Sequence, residues 1–271
     1  MGLSSVIILN KTDLSQIVVD ERIDVALTLA MADLKAQFID VESGAVRYKA
    51  IRGSEVFERY KDLSGRLRSF DLRSLENRNQ KLAFWINIYN TAVIHGVIEL
   101  GLERSVKEFS RFFDRMAYEI GGYRFSLNEI EHGILRGNRR PPYRFLKPFR
   151  RGDPRLEFAV FPMDLRIHFA LVCGARSCPP IGFYEADRID FQLTLAAASF
   201  INSPQVKILA GEKAIYLSMI FKWYRSDFEG RERLLDILLE FLDEGEKKEF
   251  LKQHRGSIRI KYQPYDWSLN A

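Results

Sequence analysis

The sequence predicts an α+β fold: one helix-rich domain, residues 1–271, around a small, mainly antiparallel sheet. Three observations point there. Helical and alternating segments interleave without the regular strand–helix–strand rhythm of a parallel sheet. "AYEIGGYRFS", 117–126, alternates on both sides of Gly121-Gly122, a hairpin signature. "LAFWINIYNTAVIHGVIELGL", 82–102, is an almost unbroken apolar helix.

The elements follow in chain order. Residues 20–40 have helical periodicity, and "GAVRYKAI", 44–51, reads as a short strand. Ser54 caps a helix running to about Phe70, which completes a helical lead-in over residues 1–74 packed on the core. The long helix runs from about Asn79 to Gly101, its closing glycine. Ser126 and Glu129 form a capping box opening "SLNEIEHGILRG", and Gly137 ends it. Residues 156–161 and 166–173 read as strands, and 190–202 as a helix. "QVKILAGEKAIYLS" is a hairpin turning at Gly211, and Ser218 caps the next helix. "ERLLDILLEFLD" is a further helix, and "SIRIKY" a closing strand.

With 46% hydrophobic and 28% charged residues, the composition is that of an ordinary globular chain. The apolar run at residues 6–9 is too short for a secretory signal, and only two cysteines occur, so the expectation is a cytoplasmic protein with reduced thiols. Asn87, Asn90, His95 and Glu99 make the long apolar helix a buried one rather than a membrane span. The segment 136–155 holds eight Lys or Arg and one acid, +7 of a net +5, so the rest of the chain carries −2. Its arginines interleave with Tyr143, Phe145 and Phe149, a mixture that also suits single-stranded nucleic acid. No nucleic-acid motif accompanies it, and a solvated charged loop is the favoured reading.

Four sets of residues could carry chemistry. Cys173 stands where a strand gives way to a loop. Arg176 could lower its pKa, and the Gly174 backbone could serve an oxyanion. Cysteine is also a common core filler. His168 would lie on the opposite strand face from Cys173. Glu131 falls within the apolar face of Leu127, Ile130 and Ile134, so it must be paired or protonated, while His132 points about 100° away. A catalytic acid–base role and a structural pairing with an arginine weigh evenly there. Asn87, Thr91 and His95 form a polar stripe beside Asn90 that must face polar groups, a cleft or a ligand.

These pieces together resemble the domain-of-unknown-function family 547. The resemblance rests on "KLAFWINIYNTAVIHGVIELG", "FSLNEIEHGILRG", "RIHFALVCGARSCPPIGFY", "FKWYRSDF" and "YDWSLN", in that order, over roughly residues 75–271. It implies the Asn-bearing helix, the Glu131-His132 pair and the Cys173-Gly174 pair as shared features. It gives Cys178 and His168 less weight, and the basic loop at 138–155 departs from it. The architecture is also loosely similar to the papain and transglutaminase-like type.

The leading expectation is a thiol-dependent hydrolase or acyltransferase. Cys173 is its nucleophile, His132 or His168 its base and Glu131 the orienting carboxylate. Asn87, Asn90, Gly174 and Arg176 bind substrate. The alternative is a non-catalytic module binding a small molecule or peptide, with the basic loop on an anionic partner. A zinc site of His132, His168, Glu131 and a cysteine ranks third, since no pair has diagnostic spacing. No cofactor is implied.

Overall fold

The computed structural model describes residues 5–11, 23–40 and 43–271. The α+β class holds, with two small sheets among the described residues where the sequence predicts one. The chain divides into two compact units. The first comprises Met1–Asp164, Leu171–Ile189 and Trp267–Ala271; the second comprises Leu165–Ala170 and Asp190–Asp266.

In the first unit, β1 (Ile7–Ile8) is followed by α1 (Ile23–Phe38). The first three residues of the predicted 20–40 helix lie outside the described residues. Helix α1 buries Ala26, Leu27, Ala30, Met31 and Leu34, one face at helical spacing. The strand expected over 44–51 is absent. Only a single bridge, Ile39 to Val46, forms there, and the chain turns into α2 (Tyr48–Ile51). Helix α3 (Glu55–Arg66) starts where Ser54 Oγ accepts the Phe57 N–H at 3.2 Å. It packs on α1.

Helix α4 (Arg78–Glu99) is the axis of this unit, and every residue from Leu82 to Ile98 is buried. Its N-terminus is a reciprocal capping box between Asn77 and Gln80, with bonds of 3.0 and 3.1 Å. Its C-terminus is a Schellman closure: Leu102 N–H donates to Val97 O and Gly101 N–H to Ile98 O, with Gly101 at φ +61°. Among the described residues no helix is long and apolar enough to cross a membrane.

A short α5 (Phe112–Arg115) leads into β2 (Met116–Ile120) and β3 (Tyr123–Ser126). The predicted hairpin forms, with Tyr118 opposite Phe125 and Ile120 opposite Tyr123. Strand β1 adds to β2 in parallel. Gly121 and Gly122 take φ +57° and +78°, the left-handed pair that a two-residue hairpin turn requires. A Cβ on Gly121 would also stand 2.8 Å from the Phe70 carbonyl oxygen. Gly121→Ala is therefore expected to cost about 2 kcal/mol by urea denaturation, combining backbone strain with displacement of the 67–70 turn. A loss under about 0.5 kcal/mol would contradict this placement.

The other two expected strands are 3₁₀ turns, Pro154–Phe158 and Leu165–Phe169. Asp153 caps the first, with Pro154 at its start. Phe158, Val160, Ile167 and Phe169 are buried there. A short apolar run fits a buried strand and a buried turn equally.

In the second unit, α6 (Ile189–Asn202, from Asp190 onward in this unit) precedes β4 (Val206–Leu209) and β5 (Ala214–Leu217), antiparallel as expected. Ser218 caps α7 (Met219–Trp223), and α8 (Arg231–Phe241) follows. Helix α9 (Glu246–His254) has no counterpart in the sequence reading, because Phe250 and Leu251 alone mark its apolar side. Strand β6 (Arg259–Tyr262) pairs with β5 in parallel. Each sheet is thus a mixed three-stranded one. The core of this unit gathers Phe169, Phe200, Phe221 and Phe228 with Leu235 and Leu238.

Candidate functional site

The asparagine stripe on α4 is engaged by chain atoms. Asn87 clamps the backbone of Tyr184: its Nδ2 donates to Tyr184 O and its Oδ1 accepts the Tyr184 N–H, both at 2.8 Å. One turn on, Asn90 Oδ1 accepts the Val172 N–H at 3.0 Å and its Nδ2 donates to Gly182 O at 3.3 Å. Thr91 Oγ1 donates to Asn87 O, and His95 Nδ1 lies 2.8 Å from the Tyr118 hydroxyl. The polar partners that these side chains require are therefore loop backbone and a buried tyrosine. Asn87 and Asn90, the expected substrate-binding amides, thus hold the backbone of Tyr184, Val172 and Gly182. A buried amide announces a partner, and the sequence does not say whether that partner is ligand or chain.

The 172–184 loop carries Cys173 and Cys178, joined as a disulfide with Cα atoms 6.2 Å apart. A bonded sulfur offers no thiolate, so Cys173 is not a free nucleophile here, and the thiols are not reduced. The expected strand leading to Cys173 is a turn, so the predicted opposition of His168 and Cys173 on two strand faces falls away. Gly174, at φ +76°, accepts the Asn270 N–H on its carbonyl, and Arg176 N–H donates to Ser268 O. The Arg176 side chain is exposed.

Glu131 and His132 lie on a π-helix, Glu129–Leu135, opened by the predicted capping box: Ser126 Oγ accepts the Glu129 N–H at 3.2 Å and Glu129 Oε2 the Ser126 N–H at 2.8 Å. Five-residue bonds continue it, from Arg136 N–H to Glu131 O and from Asn138 N–H to Gly133 O. A Cβ on Gly133 would collide with the buried Phe149 ring, so this turn and the basic loop are fitted to each other. Glu131 is buried as expected, and Tyr89 OH donates to its Oε2 at 3.1 Å. His132 is buried too. Arg136 Nη1 lies 3.0 Å from His132 Nδ1. A guanidinium only donates, so Nδ1 must accept and the imidazole is neutral, protonated on Nε2. Glu131 Oε1 stands 3.6 Å from the same Nδ1. Tyr89 and Arg136 were not singled out by the sequence; a buried carboxylate nearby was the only pointer to them.

His168 lies in the second unit. Its Nε2 is 2.9 Å from Asp227 Oδ2, both groups are buried, and its ring stacks on Tyr224 with centroids 4.0 Å apart. Among the described residues, no three His, Cys, Asp or Glu side chains gather as a metal site.

The basic loop is solvated as expected, with Arg139, Arg140, Arg144, Lys147, Arg150 and Arg151 exposed, and it is also pinned at several points. Asn138 closes it, donating to Phe149 O and accepting the Phe149 N–H, both at 3.1 Å. Arg136 Nη1 donates to Arg140 O at 2.9 Å. Tyr143 OH donates to Asn128 Oδ1 at 2.8 Å, and Arg144 pairs with Asp114. Burial and then the Glu131 charge push the Tyr143 phenol up to about 12, so it stays a neutral donor. Arg155 stands over the Phe149 ring at 4.3 Å and pairs with Glu129 at 2.9 Å.

Between this loop and the β3–α5 region opens a pocket of about 910 Å³. Six cations line it, Arg111, Arg124, Arg144, Lys147, Arg150 and Arg151, against two acids, Asp114 and Glu129. Asp114 is shared by Arg111 and Arg144. Arg124, Lys147, Arg150 and Arg151 are exposed and have no ion-pair partner among the described residues. Phe145 and Leu146, 91% and 80% exposed, stand on the same wall.

No curated protein and no solved structure matches the chain. The three longer motifs, up to residue 184, fall within one family match, while "FKWYRSDF" and "YDWSLN" lie beyond its end. Residues 72–201 match the model of the family described as a protein of unknown function, DUF547.

Proposed function

We propose that the chain is a binding protein for an anion that carries an aromatic or aliphatic group, such as an aryl phosphate or an acidic peptide with an apolar residue. The pocket under the basic loop holds it. The observation that carries this reading is the excess of unpaired cations around a concave site with exposed Phe145 and Leu146. Converging cations concentrate field in a cleft and attract anions, and the rings cover the apolar part of the ligand. The loop is held by Asn138 and Arg136 before any ligand arrives, which lowers the ordering cost of binding.

The hydrolase or acyltransferase alternative has less support. Its nucleophile is bonded to Cys178, its substrate amides are engaged by backbone, and His132 presents a proton rather than a lone pair on Nε2.

Calorimetric titration with phenyl phosphate tests the proposal. The whole chain should bind it at low salt, with affinity falling as salt screens the cations. Arg150→Ala combined with Arg151→Ala should weaken binding at least tenfold, about 1.4 kcal/mol. Phe145→Ala should weaken phenyl phosphate but leave inorganic phosphate unchanged. Binding that ignores both substitutions, or no binding at all, would overturn the reading.

A further inference from the structure

The Cys173–Cys178 pair has a setting that the binding reading does not use. Both residues are half-buried on a loop anchored independently of their bond. Asn90 holds Val172 before it, Asn87 and Asn90 hold Tyr184 and Gly182 after it, and Asn270 and Ser268 bond the backbone of Gly174 and Arg176 within it. If the disulfide opens, these bonds keep the two sulfurs within reach of each other. The two sulfurs are not equivalent. Cys178 lies on the wall of an open pocket of about 400 Å³ with Arg176, Pro179 and Pro180, and Cys173 does not. The Cys173 N–H donates to Cys178 Sγ at 2.9 Å. Arg176, exposed, carries a charge with no ion-pair partner among the described residues. A backbone donor on sulfur and a nearby cation both favour a thiolate.

We infer that Cys173–Cys178 is an exchange-active disulfide, with Cys178 the entering sulfur and Arg176 drawing in small thiols and disulfides that carry carboxylates. In the dithiol form, the Cys178 thiolate attacks one sulfur of the substrate disulfide. A Cys178–substrate bond forms, the substrate S–S bond breaks, and one substrate thiolate leaves and is protonated by water. The Cys173 thiolate then attacks Cys178 Sγ, restores the internal disulfide and expels the second substrate thiolate. The protein dithiol is oxidised by two electrons, and one substrate disulfide becomes two thiols. With substrate thiols in excess the same steps run backwards.

The probe is glutathione disulfide, a carboxylate-bearing disulfide, with adducts counted by mass spectrometry on the whole chain. Cys173→Ser, which keeps Cys178, should gain one glutathione about tenfold faster than Cys178→Ser, and adding Arg176→Ala to it should slow the gain about threefold. Reduced wild-type chain should return to the disulfide and release two glutathiones. If a serine variant fails to fold, acid-quenched wild-type chain serves instead, with the transient mixed disulfide mapped by peptide. Its location on Cys178 supports the inference. Equal rates at the two cysteines, a mixed disulfide on Cys173, or reduced chain that stays reduced would overturn it.

Discussion

Asn87→Ala is expected to destabilise the first unit by about 2–4 kcal/mol. The amide makes two bonds of 2.8 Å to the backbone of Tyr184, and both residues are buried. Truncation leaves a buried N–H and a buried carbonyl without their partner. Each such orphan costs about 1–3 kcal/mol, well above the net worth of an ordinary hydrogen bond. The methyl of alanine also leaves a void against α4 that water cannot fill without polar partners. The measurement is urea denaturation followed by circular dichroism, with the midpoint falling at unchanged slope. Asn87→Asp should be damaging as well, because a carboxylate would face the Tyr184 carbonyl in place of the amide donor. A loss below about 1 kcal/mol would mean that the clamp is dispensable, and would reopen the reading of Asn87 as a ligand group.

The second large effect is a pH dependence centred on His95. Its ring is buried on α4 and bonded to Tyr118, whose hydroxyl lies 2.6 Å from that of Tyr60. The Phe57 ring meets it edge-on at 5.3 Å. Burial, helped by the Lys61 charge, lowers its pKa from 6.5 to about 3, so the folded chain keeps it neutral. The unfolded chain takes up a proton near 6.5, and the folded chain takes it up only near 3. Between those values the unfolded state binds more protons, so stability falls as the pH drops. The slope approaches 1.4 kcal/mol per pH unit, and the loss from pH 7 to 5 is about 2 kcal/mol. His95→Gln, which retains a hydrogen-bonding group without titrating, should lose this component. The check is the difference in unfolding free energy between the two chains from pH 7 to 5. A difference that stays flat would show that His95 is protonated in the fold.

Local chemistry was legible in the sequence. Ser54, Ser126 with Glu129, Gly101 and Gly121-Gly122 each act over a few residues and were read correctly, as was the buried Glu131. Bonds between distant segments were not legible. Nothing near Asn87 in sequence names Tyr184, and nothing in the charged run 136–155 announces that Asn128 and Asp114 would hold Tyr143 and Arg144. The π-helix was hidden because its residues fit an ordinary helix equally well and only the five-residue bonds distinguish it. The 3₁₀ turns were mistaken for strands because their short apolar runs carry no period of their own. Composition carries no signal for the cysteine pair, which forms because the folded loop brings the two Cα atoms to bridging distance.

The most direct test of the binding account is where the ligand sits. A two-dimensional NMR titration of the whole labelled chain with phenyl phosphate reads this residue by residue. The account predicts saturable shifts centred on Tyr143 to Arg151, with further shifts at Arg111, Arg124 and Asn128, weakening as salt is added. Shifts centred elsewhere in the chain, or none at saturating ligand, would contradict it.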